Sequence, residues 1–203
     1  MMTRTTIIKK MTTENINFQP VPLTIHHDWS LTINRMKKIM ALEPKFTSSI
    51  FQEQSDHLDM KSLGNISRHR HSDCWYRLSG TAINATMPWL EDMLSVMKDI
   101  KPDGGCISFL QGNGGAHIDV PEFPSALNYV FYSTDPDAYT WFKNDDKLET
   151  HSSAVDSVWL INTQVEHGIA NTGIRYSLSI HFEKDYNTVL DWFNSRPHLT
   201  FGS

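Results

Sequence analysis

The order of apolar and polar residues divides the chain into a helical first half and a β-rich second half. Three segments have apolar residues at helical spacing, and we expect an amphipathic helix in each. They run from Trp29 to Met40, from Pro88 to Met97 and from Tyr186 to Phe193. From about residue 105, short runs of β-branched and aromatic residues alternate with Gly, Pro, Asn and Asp clusters. That pattern predicts closely spaced antiparallel strands in a sandwich or barrel.

The predicted fold class is therefore a mainly β core with flanking helices. Residues 1–22 are rich in Thr, Lys and Asn and are expected to form an N-terminal arm. Residues 23–203 are expected to form one domain, since a chain of 203 residues fits a single core. Within it we expect helical support over 23–104, the β core over 105–183 and a C-terminal helix over 184–203.

Composition excludes several classes of protein. The chain is 39% hydrophobic and only 20% charged, which argues against disorder. A net charge of −5 gives no general attraction to nucleic acid, which is not an expected partner. No apolar run approaches the roughly 20 residues that span a bilayer, and no apolar segment follows the basic N-terminal residues as in a secretory signal. With only two cysteines, the expected location is the reducing cytoplasm, without membrane contact.

The β region contains a candidate metal site. His117 and Asp119 are separated by one residue, and side chains two apart on an extended chain point to the same side. His167 lies about fifty residues further along and would complete the ligand set. Two imidazoles and one carboxylate on one side of a metal leave the opposite positions open, as in non-haem Fe(II) oxygenases. A His-x-Asp pair also occurs by chance, so the pair alone predicts a metal only weakly.

A polar stripe follows His167 on the last long β segment, residues 174–182. Arg175, Ser177 and Ser179 alternate with apolar residues, so one face of this strand is polar and the other apolar. A guanidinium beside a hydroxyl is suited to charge-assisted binding of a buried carboxylate.

Together, the His-x-Asp pair, the distant His and the Arg-x-Ser strand resemble the 2-oxoglutarate- and Fe(II)-dependent dioxygenases. The resemblance covers roughly residues 105–183, and the segment from Val165 to Phe182 is most similar to the aspartyl/asparaginyl β-hydroxylases and small phage or bacterial oxygenases. It implies a double-stranded β-helix, which is a jelly-roll, cupin-like fold. It also implies oxidative decarboxylation of 2-oxoglutarate to succinate, coupled to hydroxylation of an unidentified substrate, with Fe(II) as cofactor and O2 as the second cosubstrate.

Carried over residue by residue, the resemblance makes His117, Asp119 and His167 the catalytic metal ligands. Arg175 and Ser177 then correspond to the residues that bind the far carboxylate of 2-oxoglutarate.

The strand after the His-x-Asp pair offers a further cosubstrate contact. Asn128 is the first candidate, with Tyr129 and Tyr132 as alternatives, because parity alone does not say which face of the strand looks inward.

Two local features accompany this assignment. Arg175 follows His167 by eight positions, which is short for the family, and we expect a turn with positive φ at Asn171–Gly173 to absorb the difference. Glu166 and Gln164 are candidates to accept the second N–H of His167.

Two other functions stay open at this point. A cupin-type metalloenzyme that does not use 2-oxoglutarate would need the metal ligands but not the arginine. A non-catalytic jelly-roll binding protein would need neither.

The prime substrate is expected to be a small molecule or a peptide. If the basic segment Arg68–His71, followed by Trp75 and Tyr76, lines the pocket, that substrate is anionic. Residues 133–157 are the second candidate for a substrate loop.

Overall fold

The computed structural model describes residues 17–41, 65–68, 75–79 and 87–202. These residues form two facing β-sheets, with helices on the outer face of the larger sheet. The described helices are α1 (Ser30–Ala41), α2 (Trp89–Val96), a short 3₁₀ helix at Lys98–Ile100, and α3 (Tyr186–Asn194). In chain order the described strands are β1 (Phe18–Pro20), β2 (Leu23–His26), β3 (Asn65–Arg68), β4 (Trp75–Ser79), β5 (Cys106–Gln111), β6 (Gly114–His117), β7 (Ser125–Ser133), β8 (Tyr139–Asn144), β9 (Lys147–Ser152), β10 (Val158–Asn162), β11 (Glu166–Ala170), β12 (Ile174–Phe182) and β13 (Leu199–Gly202).

The strand order is that of a double-stranded β-helix. The larger sheet has the order β1-β10-β7-β12-β5-β4-β3, and the smaller has β6-β11-β8-β9. The eight strands from β5 to β12 are therefore divided between the two sheets, with the chain crossing from one sheet to the other. The first of them, β5, pairs antiparallel with the last, β12. This pairing places the first and last strands of the set side by side in the larger sheet. The predicted jelly-roll fold class is confirmed by this order.

Helices cover the outer face of the larger sheet through one apolar core. Every second residue of β12 enters this core, as do the apolar stripes of α2 and α3. The outward-facing residues of β12 that pack there are Tyr176, Leu178, Ile180 and Phe182. The three helices expected from the periodicity are all present. Among the described residues, no helix is long and apolar enough to cross a membrane.

Carboxylates cap two of these helices. Asp185 precedes α3 and accepts a hydrogen bond of 3.0 Å from the backbone N–H of Thr188. Asp28 similarly accepts from the backbone N–H of Ser30 at the start of α1. Such side-chain caps contribute about 1 kcal/mol each to helix stability.

The ends of the described chain are tied into the β structure. β1 pairs antiparallel with β10 at the edge of the larger sheet, and β2 pairs parallel with β13. The short strands β3 and β4 extend the opposite edge beyond β5. The part of the chain between residues 23 and 104 therefore contributes strands as well as helices.

The inward face of β12 is polar and buried. Alternation places Arg175, Ser177, Ser179 and His181 between the two sheets, where each is at most 9% exposed. Burying polar groups without partners is costly, so a row of them inside a sandwich marks a functional site rather than a packing core.

Close approach of β11 to β8 requires a glycine directly after His167. Gly168 lies opposite Trp141, and a Cβ atom there would be 2.5 Å from the indole Cζ2 and 3.0 Å from the Gly114 carbonyl oxygen. Gly168→Ala is expected to lower the free energy of unfolding by about 1–3 kcal/mol through overpacking. Urea denaturation measures the change. Gly104→Ala is the matched control, because no atom lies within 4 Å of its added Cβ. Equal stability of Gly168→Ala and the unmodified protein would contradict the close contact.

Candidate active site

The pairing of β6 with β11 brings the predicted metal ligands together. His117 lies directly opposite His167 in this antiparallel pair, and opposed residues share one face of a sheet. Their ring centroids are 4.4 Å apart. Asp119 follows β6 by two residues, and its backbone N–H donates to the Thr163 carbonyl at 3.0 Å. The potential ligand atoms of the three side chains all lie within 4.8 Å of one another.

Backbone carbonyls fix the orientation of both imidazoles. His117 Nδ1 is 2.8 Å from the Gly115 carbonyl oxygen, and His167 Nδ1 is 2.8 Å from that of Val165. A carbonyl only accepts, so each Nδ1 carries the hydrogen and each Nε2 is the nitrogen offered to a metal. His117 Nε2 is 3.5 Å from Asp119 Oδ1.

The predicted acceptors for His167 were wrong, since the Val165 carbonyl takes that place. Glu166 instead faces Lys143 at 3.9 Å, and the side-chain amide of Gln164 donates to the carbonyls of Asp119 and Val120. The prediction failed because every residue has a backbone carbonyl, so residue types do not indicate which carbonyl will accept the hydrogen bond.

The turn between His167 and Arg175 also differs from its prediction. Residues 171 to 173 do not adopt positive φ. The Asn171 side-chain amide instead donates to the carbonyls of Gly112 and Gly173. Gly173 is needed for space, because a Cβ there would clash with Thr134 Oγ1.

One cavity between the sheets contains the three candidate ligands. Its other polar lining residues are Asn128, Thr140, Ser179 and His181, and its apolar ones are Ala126, Ile161 and Ile169. Asn128 Oδ1 is buried in this wall and has no hydrogen-bond partner among the residues that the structure describes. A buried carbonyl oxygen without a donor is unusual, and a bound ligand or water would supply one.

The register of β7 separates Asn128 from the two tyrosines. Tyr129 points to the helix-covered core, where its hydroxyl donates to Asp156 at 2.8 Å. Tyr132 packs against Tyr176 on that same side. Of the three candidates on β7, only Asn128 lines the cavity.

Arg175 is linked to the cavity by two hydroxyls. Its Nη1 donates to Ser153 Oγ at 3.1 Å, and Ser153 Oγ lies 3.2 Å from Thr140 Oγ1. Thr140 in turn lines the cavity with the three candidate ligands. Arg175 is 2% exposed as a residue, and it lies inside the sandwich behind the cavity wall.

The charge of Arg175 has no counter-ion among the residues that the structure describes. No described carboxylate lies within ion-pair distance, and Nε is buried without a partner. Burial lowers the pKa of Arg175 to about 10, which still leaves it charged at neutral pH. The neighbouring wall has a second unpartnered group, Ser108 Oγ, opposite Ser177 in the register. An uncompensated buried charge is costly, and an anionic ligand would offset that cost.

A buried histidine contributes no positive charge to this region at neutral pH. His151 lies opposite Thr140 and stacks between Phe18 and Trp159, each with its ring centroid 4.7 Å away. Burial lowers the pKa of His151 to about 4, and the nearby charge of Arg175 also lowers it. Arg175 is therefore charged beside a neutral imidazole.

The two proposed substrate segments have different outcomes. Residues 69–74, which include most of the basic segment, lie outside the described residues. The segment 133–157 contains the β8–β9 hairpin and contributes Thr140, His151 and Ser153 to the region around Arg175. Sequence reasoning did not single out these three residues, because only the pairing of strands places them there.

No family model matches this sequence, and no curated protein sequence matches it. Among solved structures, the chain is similar to a prolyl hydroxylase from Trichoplax adhaerens in complex with a hypoxia inducible factor peptide fragment. The two share 12% identity with a TM-score of 0.46, and the match covers 82% of this chain and 97% of that one. It is also similar to a 2OG-Fe(II) oxygenase family oxidoreductase from Burkholderia pseudomallei, with 10% identity, a TM-score of 0.44, and coverage of 67% and 81%. A cupin superfamily protein from Desulfitobacterium hafniense has 11% identity, a TM-score of 0.33, and coverage of 57% and 83%. These similarities are distant, with identities of 10–12%.

Replacing a candidate ligand tests the metal centre directly. His167→Ala is expected to weaken Co(II) binding at least tenfold, because one of three protein ligands is lost. Anaerobic titration followed by absorption measures the affinity. His198→Ala removes an exposed histidine and serves as the matched control, with unchanged affinity. Equal Co(II) affinity of His167→Ala and the unmodified protein would rule out this ligand set.

The burial of His151 predicts an acid-sensitive step in stability. Its pKa is lowered in the folded state, so the unfolded chain binds a proton more readily and stability falls as the pH drops below about 6.5. Between pH 7 and pH 4.5 this one group should cost about 2 kcal/mol. In His151→Asn, urea denaturation at the two pH values should show a loss smaller by about that amount. An identical loss in both proteins would show that His151 does not titrate as a buried group.

Proposed function

We propose that this protein is an Fe(II)- and 2-oxoglutarate-dependent oxygenase that hydroxylates its substrate. The observation that carries the proposal is a buried arginine, Arg175, that has no counter-ion among the described residues. It lies behind the wall of a cavity that is lined by His117, Asp119 and His167. The arginine is suited to binding a carboxylate, and the two histidines with the aspartate are suited to binding a divalent metal. A ligand that is both a metal chelator and an anion would engage both.

Iron suits the triad because of its donor atoms and its geometry. The two histidines come from the paired strands β6 and β11, and Asp119 follows β6 by two residues, with the potential ligand atoms of all three within 4.8 Å of one another. This arrangement leaves the opposite coordination positions to ligands that are not protein. The hydrogen bonds from Nδ1 to Gly115 and Val165 hold the rings in place before a metal arrives.

The region around Arg175 suits the far carboxylate of 2-oxoglutarate. The 2-oxo acid end would chelate the metal, and the other carboxylate would accept hydrogen bonds from the guanidinium, including its unpartnered Nε. Ser177 lies two residues further along the same buried face and would add a hydroxyl donor. Asn128 would contact the same cosubstrate from β7, since its side chain lines the cavity.

With iron bound, 2-oxoglutarate, O2 and a substrate C–H group would be converted to succinate, CO2 and the hydroxylated substrate. The contributions of the chain are binding, orientation and exclusion of water. Ser153 Oγ, which lies 3.2 Å from Thr140 Oγ1, accepts a hydrogen bond from one nitrogen of the guanidinium, and the other nitrogens would be left to the cosubstrate. Both imidazoles of the triad are nearly inaccessible, at 7% and 5% exposure, so water reaches the metal position mainly through the cavity.

Arg175 also distinguishes this proposal from its rivals. A cupin-type metalloenzyme without 2-oxoglutarate has no use for a buried cation behind its metal cavity. A non-catalytic jelly roll does not require His117 and His167 to be oriented with both Nε2 atoms toward the carboxylate of Asp119. We further propose a small-molecule or peptidyl substrate that carries an anionic group, a cytoplasmic location, and kinship with the aspartyl/asparaginyl β-hydroxylase-like branch.

Arg175→Met separates cosubstrate binding from metal binding. Loss of a charge-assisted hydrogen bond costs about 1.5–3 kcal/mol, so the affinity for 2-oxoglutarate should fall roughly ten- to a hundredfold. Anaerobic titration of the Fe(II)-loaded protein measures it through the charge-transfer absorption of the 2-oxo acid complex. The Co(II) affinity of the same variant should stay unchanged.

Arg196→Met is the matched control, because Arg196 lies over the Trp192 ring at the surface and away from the cavity. Its affinity for 2-oxoglutarate should equal that of the unmodified protein. If Arg175→Met also binds 2-oxoglutarate normally, the carboxylate site is elsewhere. If the unmodified protein binds Fe(II) but gives no response to 2-oxoglutarate, the cupin alternative is favoured.

A further inference from the structure

The candidate metal ligand Asp119 lies in a loop, residues 118–124, rather than in a strand. β6 ends at His117, which is paired with His167, so the strand pairing does not extend to Asp119. The apolar residues on either side of Asp119 do not anchor it by burial, since Ile118 is 57% exposed and Val120 is 44% exposed. Other contacts must therefore hold this ligand in place.

Thr163, in the turn before β11, forms three hydrogen bonds with this loop. Its carbonyl oxygen accepts from the backbone N–H of Asp119 at 3.0 Å, and its own backbone N–H donates to the Pro124 carbonyl at 3.3 Å. Its hydroxyl donates to the Phe123 carbonyl at 2.6 Å. Since a carbonyl oxygen only accepts, the direction of all three bonds is fixed by the groups themselves. Thr163 is also fully buried, so water does not compete for these bonds.

The hydroxyl bond is the shortest of the three, and its effect reaches the residue next to Asp119. The backbone N–H of Phe123 donates to the Val120 carbonyl at 3.0 Å, so the loop folds back on itself directly after Asp119. Holding the Phe123 carbonyl therefore holds both ends of this small turn. Without the hydroxyl, that carbonyl would lose its donor, and the two longer backbone bonds of Thr163 would be left to hold the loop.

The same turn orients a second candidate ligand. Val165 follows Thr163 by two residues, and its carbonyl is the acceptor for His167 Nδ1 at 2.8 Å. The turn thus contacts His167 through its ring and Asp119 through its backbone. The position of these two ligands relative to each other depends on how firmly the loop is attached to the turn.

We propose that Thr163 is a positioning residue for Asp119, because its hydroxyl attaches the loop that carries this ligand to the turn that orients His167. Thr163 is not among the residues that line the cavity, so it acts on the metal only through Asp119. Metal sites bind more tightly when neighbouring groups hold the ligands in place beforehand. This inference rests on the proposed metal site.

Thr163→Val tests the role of the hydroxyl, because valine keeps the branched shape and lacks only the polar group. The Co(II) affinity, measured by anaerobic titration followed by absorption, should fall about tenfold, the lower end of the range for groups that orient metal ligands. Thr163→Ser keeps a hydroxyl and should bind Co(II) within about threefold of the unmodified protein. Urea denaturation of the metal-free proteins shows whether each variant is folded under the titration conditions.

Hydrogen exchange in the metal-free protein gives a second readout, independent of metal. The backbone amide of Asp119 should exchange at least tenfold faster in Thr163→Val, because the loop opens more often. The amide of Leu178, in the middle of β12, reports opening of the larger sheet and should be accelerated less than that of Asp119. Exchange followed by NMR of the ¹⁵N-labelled protein measures both.

Thr188→Val is the matched control. It removes a hydroxyl hydrogen bond of the same kind, from Thr188 to the carboxylate of Asp185 at the start of α3. The Co(II) affinity and the exchange of the Asp119 amide should both equal those of the unmodified protein.

Each outcome bears on the proposal. Absence of Co(II) binding by the unmodified protein would overturn the proposed function and this inference with it. Normal Co(II) affinity of Thr163→Val would overturn the inference alone, as would unchanged exchange at Asp119 or a tenfold loss of affinity in Thr163→Ser. If Thr163→Val does not fold, Thr163→Ala takes its place with the same expected losses, and its normal binding of Co(II) would contradict a positioning role.

Discussion

Strand β12 lies in the middle of the larger sheet, and its two faces meet opposite environments. Its apolar residues complete the core under the helices, and its polar residues lie between the sheets. Because side chains alternate strictly along a strand, the register of β12 determines both which residues enter the apolar core and which lie between the sheets. A slip by one residue would move Arg175 into the apolar core and an aromatic ring into the cavity. The packing of the helices, the larger sheet and the pocket around Arg175 all depend on this strand.

The same constraint acts on the metal ligands. The opposition of His117 to His167 exists only in one register of β6 with β11. The absence of a side chain at Gly168, the next residue, allows close contact of β11 with Trp141 and with the Gly114 carbonyl oxygen. Within the part of the chain that the structure describes, the site has an energetic cost, because the guanidinium of Arg175 is buried without a counter-ion and Asn128 Oδ1 and Ser108 Oγ are buried without hydrogen-bond partners. A rigid framework holds these groups in place, and a ligand with a negative charge would gain from each of them.

The sequence was sufficient for the features that depend on spacing. Period-two alternation indicated the inward face that contains Arg175 and Ser177, and the His-x-Asp spacing indicated a shared direction for its two side chains. Features that depend on which strands pair with each other could not be predicted from the sequence. Thr140, His151 and Ser153 reach the Arg175 region only through the β8–β9 hairpin, and the acceptors for His117 and His167 are backbone carbonyls. The strands β3 and β4 are short and partly polar, so periodicity alone did not separate them from their surroundings.

The most direct test of the account is a crystal structure of the protein grown anaerobically with Mn(II) and 2-oxoglutarate. The metal is expected on His117, Asp119 and His167, with the 2-oxo acid end of the ligand chelated to it. The other carboxylate is expected within hydrogen-bond distance of Arg175. A metal bound by other residues, or a ligand whose far carboxylate leaves Arg175 without a partner, would contradict it.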